Sequence, residues 1–512
     1  MNKRNILEYL EESARLFPEK HAFIGEGCAL SFSELHYRAR AIGSFIASKG
    51  YYRRPIVLMM GREPDTVAAI LGVMAAGCFY VCVDKDVPDS RKLAMLERTR
   101  AALLIVRKGE LEAAKIFSGR AEIIVYENAL LHRIDECALS EISERRTDTD
   151  LAYITFTSGS TGEPKGVSTS HRALIDYADA LCASIPFSSS TVFGNQAPLY
   201  YDAPMKEILP CLVLGASTVF IPSELFLFPT SLLEFIRDNG INTLCWAASA
   251  FAAVSTLGAL DGADLTHLRL ICHGSESFPR GEYDKWRRAC PNAIFVNLYG
   301  PTEATGMSAY WIAERELEPD EPIPIGRAFP NTEIFLIDEK GNESDSGEIY
   351  IRGSCLSSGY FNDFEANERA FVPDPRNKSY RDTVYRTGDA GMINDRGELV
   401  CLGRLDRQIK IMGRRIEPRE IEFTAERYPS VSVARCVFDK EKQMIILGYV
   451  GECEERVLMS HLRNELARYM LPKRICRLAS IPRLQNGKTD HRELEKILIG
   501  EKSDGEANEN FR

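Results

Sequence analysis

Over roughly the first 400 residues, two spacings of apolar positions alternate along the chain. Apolar residues recur three and four apart at Ile6, Leu7, Leu10 and Ala14, and again over residues 32–48 and 65–76, which predicts amphipathic helices there. Between them lie short runs of β-branched and apolar residues at 56–60, 78–83, 102–106, 122–125 and 217–221, which predict buried strands. Helices alternating with continuously apolar strands imply α/β layers around a parallel core sheet. With 512 residues, one hydrophobic nucleus is improbable, and layered α/β subdomains are expected. Near residues 397–413 the pattern changes to glycines and clustered basic residues (GELVCLGRLDRQIKIMGRR), so a domain boundary is placed at Asp406. The fold class expected is α/β, with a large N-terminal domain over 1–405 and a small mobile α+β domain over 406–500. The segment 501–512 reads as a disordered tail, because EKSDGEANENFR is almost without apolar residues.

Bulk chemistry narrows the function classes. The net charge of −10 argues against attraction to a polyphosphate backbone, so no nucleic-acid partner is expected. The uncharged, mostly apolar stretch 67–83 is 17 residues and contains Gly72 and Gly77; it reads as helix, turn and strand, and no membrane insertion is expected. The charged N-terminal helix does not read as an export signal, so the mature chain is expected to start at Met1. Fourteen cysteines without a CxxC pair read as reduced thiols, which places the protein in the cytoplasm.

The most informative stretch is 153–167, YITFTSGSTGEPKGV, where a β-rich run enters a loop of glycines and hydroxyl residues. Gly159, Gly162 and Gly166 allow close backbone approach, so consecutive N–H groups can point at one phosphate. Thr157, Ser158, Ser160 and Thr161 add hydroxyl donors, and Lys165 adds a compact cation. The spacing is not that of a Walker A loop, because a proline precedes Lys165.

Together with five later stretches in order, this loop resembles the adenylate-forming superfamily of adenylation domains, acyl-CoA synthetases and luciferases. Those stretches are NLYGPTE (297–303), GEIYIRG (347–353), YRTGD (385–389), GRLDRQIK (403–410) and NGK (486–488), and the resemblance covers nearly the whole chain. It implies ATP and Mg2+ as cofactors, with the loop holding the β- and γ-phosphates. Asn297, Tyr299 and Gly300 would line the nucleotide, Tyr299 lying against adenine. Thr302 would touch the α-phosphate and Glu303 would hold the metal. Asp389 would accept both ribose hydroxyls, with Arg404 near ribose and phosphate. Lys488 would come from the small domain to bridge substrate carboxylate, ribose and α-phosphate, and Asp406 would be the hinge about which that domain turns between half-reactions.

The resemblance also points to the acid. Peptide-synthetase relatives begin their specificity pocket with an aspartate for the substrate ammonium, and Asp202 in NQAPLYYDAPMKEILPCL matches it. Its alternative is a helix N-cap, since a helix is predicted over 205–212. The remaining pocket positions expected are Ala203, Lys206, Cys245, Ile271, His273, Leu298 and Gly306. The chain is most similar to D-alanine–carrier protein ligases, which implies a separate carrier protein with a phosphopantetheine arm, toward which Arg414 and Arg415 offer a small basic patch. Lys206 and His273 depart from a D-alanine pocket. An unpaired lysine there must snorkel outward, pair with Asp202 or Glu207, or meet an anionic substrate group, which opens glutamate or aspartate as substrates. Two other functions stay open: an acyl- or aryl-CoA ligase, and a nucleotide-binding module without turnover.

Overall fold

The computed structural model describes residues 3–159, 164–319, 321–483 and 489–500. The expected tail at 501–512 and the expected lysine at 488 lie outside the described residues. The chain forms two compact units, the first ending at Asp406 and the second running from Arg407 onward. Residues 86–94 and the ends of the glycine loop, 157–159 and 164, group with the second unit.

Local sequence sets the helices of the first unit. Phe32–Ser48 opens with a reciprocal capping box, in which the Ser31 hydroxyl accepts from the Glu34 N–H and the Glu34 carboxylate accepts from the Ser31 N–H. Pro64–Ala75 begins with proline at its first position, where the missing N–H costs nothing, and is buried along its whole length. From Val67 onward it forms the first part of the uncharged 67–83 stretch; Gly77 turns the chain at φ +68° and the strand Phe79–Cys82 follows. Among the described residues, no helix is long and apolar enough to cross a membrane.

Two large sheets form the frame. One has six strands in the order Glu122–Val125, Leu103–Val106, Pro55–Met59, Phe79–Cys82, Leu151–Thr157 and Lys165–Ser170. The other has nine, and its centre runs Ile294–Tyr299, Leu270–Gly274, Thr243–Ala247, Val192–Asn195 and Ser217–Phe220, all paired in parallel. Parallel strands covered on both faces explain why these segments read as continuous apolar runs. One apolar cluster includes Ile42, Ile70, Tyr153, Leu209, Cys245, Cys272 and Leu298. A second, on the opposite face of the nine-stranded sheet, gathers Leu244, Trp246, Ile271, Trp286 and Phe295.

A five-stranded antiparallel sheet completes the first unit; its long strand Thr383–Ile393 pairs with both Ser346–Gly353 and Leu399–Arg404. The second unit has a hairpin, Ile409–Ile411 with Arg414–Ile416, and a three-stranded sheet packed against the helices Pro418–Glu426, Glu455–Glu465 and His491–Ile499. Its interior holds a buried ion pair between Arg91 and Glu420. All fourteen cysteines are free thiols.

Candidate functional site

At the expected ribose end, the antiparallel sheet brings Asp389 and Arg404 into register opposite one another. Asp389 is 4% exposed. Its Oδ2 accepts from the Tyr299 hydroxyl at 2.6 Å, and its Oδ1 accepts from Arg404 Nη1 at 3.0 Å. Arg404 also donates from Nε to Asp406 at 2.9 Å, so the guanidinium ties the carboxylate to the residue at the unit boundary. A carboxylate pinned by two donors keeps lone pairs for two further hydroxyls at no cost in side-chain ordering. Burial, and the Asp389 charge beside it, push the Tyr299 hydroxyl well above its ordinary range, so it stays a donor. The Tyr299 ring packs with Ala304, Ala309 and Ile325, and the Asn297 side chain donates to the Pro324 carbonyl at 2.8 Å.

Gly388 holds this arrangement together. Its φ is +71°, and a Cβ there would lie 2.7 Å from Arg404 Nη2. Gly388→Ala should therefore destabilise the fold by about 1–2 kcal/mol through left-handed strain and displacement of the guanidinium. Chemical denaturation should record that loss, and calorimetry should record weaker AMP binding.

At the expected phosphate end, Lys165 begins the strand Lys165–Ser170, which the segment around Tyr360 follows closely. The Phe361 N–H donates to the Gly166 carbonyl at 2.7 Å and the Ser168 N–H to the Gly359 carbonyl at 2.9 Å. Tyr360 thereby sits with its ring 5.4 Å from Lys165 Nζ and donates its hydroxyl to Glu303 Oε1 at 2.6 Å. Glu303 is fully buried in the short turn Thr302–Ala304. Among the described residues, no group of three or more His, Cys, Asp or Glu could cage a metal. One oriented carboxylate nevertheless fits Mg2+, which binds through one or two carboxylates together with substrate phosphates and water. Removing the hydroxyl in Tyr360→Phe takes a charge-assisted bond from a buried carboxylate, a loss of about 1.5–3 kcal/mol. The Mg2+ concentration for half-maximal turnover should rise about tenfold in a titration.

Thr157 Oγ1 is buried without a hydrogen-bond partner among the described residues. Within the second unit, Ser158 donates its hydroxyl to the Arg415 carbonyl at 2.8 Å and the Gly159 N–H donates to Glu420 at 3.2 Å. A loop N–H expected to face phosphate is thus engaged by a carboxylate, the same chemistry of acceptor. Ser160, Thr161 and Gly162 lie outside the described residues.

The expected substrate pocket takes one wall from the helix Met205–Leu214 and another from the nine-stranded sheet. Asp202 is half-buried just before that helix, whose N-cap is Pro204 without a side-chain cap bond, so the capping alternative does not hold. Burial pushes the Asp202 carboxyl above its usual range, and the Thr302 side chain beside it works the other way. Lys206 lies on the first turn of the helix and is 2% exposed. Its neighbour Glu207 accepts from the Asn195 amide and is pushed up to about 8 by burial.

The sheet wall corrects two expected pocket residues. Side chains alternate faces along a strand, and Cys245 pairs in register with Cys272, as Ala247 does with Gly274 and Gly274 with Leu298. Cys245, Cys272 and Leu298 belong to the apolar cluster that includes the helix Met205–Leu214, whereas Ile271 belongs to the cluster on the other face. His273 follows Ile271, packing its ring edge-on against Phe278 at 5.0 Å and Tyr283 at 5.6 Å. Burial pushes it down to about 3, so it is a neutral ring within the second cluster. Ile271 and His273 therefore give way to Cys272 and Gly274 on the pocket face. At Gly274 any Cβ would meet the Leu298 carbonyl at 2.3 Å, so only glycine fits. Gly306, at φ +99°, faces the Tyr177 ring, which sequence reasoning missed because Tyr177 comes from a separate helix, His171–Ser184.

The chain matches the family described as AMP-binding enzyme over residues 10–361. It is 29% identical to D-alanine--D-alanyl carrier protein ligase of Bacillus licheniformis, covering 96% of this chain and 99% of that protein. It is 31% identical to a linear gramicidin synthase polypeptide of Brevibacillus parabrevis, covering 96% of this chain but 10% of that much longer protein. In fold it matches the Vibrio cholerae adenylation domain AlmE, solved in complex with glycyl-adenosine-5'-phosphate, with a TM-score of 0.83 over 98% of both chains at 21% identity. The chain belongs to the AMP-binding enzyme family.

Proposed function

We propose that this protein activates an amino acid as aminoacyl-AMP, releasing pyrophosphate, and then transfers it to the phosphopantetheine thiol of a separate carrier protein. The observation that carries the reading is the position of Asp202. Its carboxyl lies beside the Thr302 side chain and within the field of Glu303, which supports an ammonium anchor next to the expected nucleotide turn. A fatty or aryl acid has no group to pair with a carboxylate there, and an unpaired buried charge is costly.

The reacting groups, an amino-acid carboxylate and the α-phosphate, are both anionic, so catalysis is a matter of positioning and neutralisation. Asp202 binds the ammonium and aims the α-carboxylate toward Thr302, which orients the α-phosphate. Asp389, Tyr299 and Arg404 fix the ribose, while Lys165 and the loop hold the outer phosphates. Glu303 would hold Mg2+, which would supply charge neutralisation for the leaving pyrophosphate. Lys488 bridges the two reacting groups, and Asp406 is the hinge for the second half-reaction. The reaction suits the cytoplasm, where ATP and reduced thiols are both available.

Amino-acid-dependent exchange of labelled pyrophosphate into ATP tests the first step, and mass spectrometry of a loaded carrier protein tests the second. Exchange driven only by fatty or aryl acids, with thioester formation on coenzyme A, would assign the chain to the acyl-CoA ligases instead. Nucleotide binding without any exchange would leave a non-catalytic module.

A further inference from the structure

Lys206 carries a substrate class, an inference that rests on the amino-acid-activating reading above. Three fates are open to a lysine at this position: to reach solvent, to pair with a neighbouring carboxylate, or to meet the ligand. At 2% exposure the side chain does not reach solvent. Asp202 and Glu207 both lie within its electrostatic field, yet neither forms a hydrogen bond or an ion pair within 4.0 Å of Nζ, and no other described residue does. Glu207 is committed to the Asn195 amide through one oxygen, and its other oxygen is buried with no partner among the described residues. His273 feels the Lys206 charge but packs edge-on against Phe278 and Tyr283, and neither of its ring nitrogens has a hydrogen-bond partner among the described residues.

The charge balance of the bound state then decides. Asp202 is satisfied by the substrate ammonium, and the α-carboxylate is directed to the phosphate. Any amino acid with a neutral side chain would leave the Lys206 ammonium sealed in the pocket without a counter-ion, an expensive arrangement. A second carboxylate on the substrate removes that cost. Cys245, Cys272 and Gly274 on the facing strands carry only small side chains.

We infer that the amino acid carries an acidic side chain, of the aspartate or glutamate class, and that Lys206 is the specificity-determining residue that receives its carboxylate.

The test is pyrophosphate exchange with wild-type protein over D- and L-forms of aspartate, glutamate, alanine, leucine, asparagine and glutamine. Acidic substrates should exceed their neutral counterparts in kcat/KM by a hundredfold or more. Lys206→Met should lose about a hundredfold on the acidic substrate, mainly in KM, while gaining on the matching amide; Lys206→Arg should recover part of the loss. AMP binding by calorimetry establishes that each variant is folded, and the wild-type panel decides the question alone if one is not. Preference for D-alanine or another neutral amino acid by wild type overturns the inference, as does an equal loss on all substrates in Lys206→Met. Either result leaves amino-acid activation standing. Exchange with no amino acid, but with fatty or aryl acids, removes the underlying reading instead.

Discussion

Asp202→Ala should reduce amino-acid-dependent pyrophosphate exchange about a thousandfold while AMP binding stays within a factor of about two. Truncating one partner of a buried charge pair costs about 2–5 kcal/mol, and each 1.4 kcal/mol is a factor of ten. Here the stranded partner is the substrate ammonium. The expected ribose group, Asp389 with Tyr299 and Arg404, is held together by its own hydrogen bonds. The same carboxyl predicts a pH dependence. Only its anionic form binds an ammonium, and burial holds it above the usual aspartate range. Lowering the pH should therefore depress kcat/KM for the amino acid earlier than for an exposed aspartate, and Asp202→Ala should erase that acid limb. Retained exchange in Asp202→Ala, with an unchanged pH profile, would remove the assigned role.

Lys488→Ala should lower the rate of adenylate formation about a thousandfold, in the range expected when one preorganised stabiliser of developing charge is lost. Two anions approach one another in this step, and a cation that bridges them acts in the transition state more than in the ground state, so kcat should fall more than KM. The variant separates the two half-reactions. Given synthetic aminoacyl-AMP, it should still load the carrier thiol at a near-normal rate, because that step does not use the lysine. Loss of thioester formation from the preformed adenylate would show that Lys488 acts on both steps or on folding.

Much of the site is written in local order. The glycine-and-hydroxyl loop, the Tyr-Gly-Pro-Thr-Glu turn and the Thr-Gly-Asp turn each depend on residues a few positions apart, because left-handed φ and turn hydrogen bonds are local requirements. Thr305 and Gly306 after the Glu303 turn, and Gly388 before Asp389, have positive φ in the structure. The partnership of Tyr360 with Glu303 and Lys165 is not legible in this way, since it depends on a segment around 358–361 pairing with the strand Lys165–Ser170 nearly two hundred positions earlier.

The pocket wall escapes the sequence for a different reason. A strand displays alternate residues on opposite faces, so an error of one position exchanges the whole set. Matching by sequence selects Ile271 and His273, and it is Cys272 and Gly274 that share a face with Cys245 and Leu298. The strand 270–274 is buried on both sides, so its sequence has no polar face to mark the direction of the pocket. Only its register with Cys245 and Leu298 does so.

Sequence alone therefore determined the AMP-binding family, the α/β class and the chain positions of the glycine turns, because those depend on short-range backbone geometry and on an order of motifs that survives any packing. Tertiary structure decided which side chains share a face of the sheet and whether a buried charge among them has a partner. Burial and ion-pair distance are properties of elements brought together from afar. Lys206 is a lysine in any reading of the chain, and only the helix and sheet packed around it leave that lysine buried.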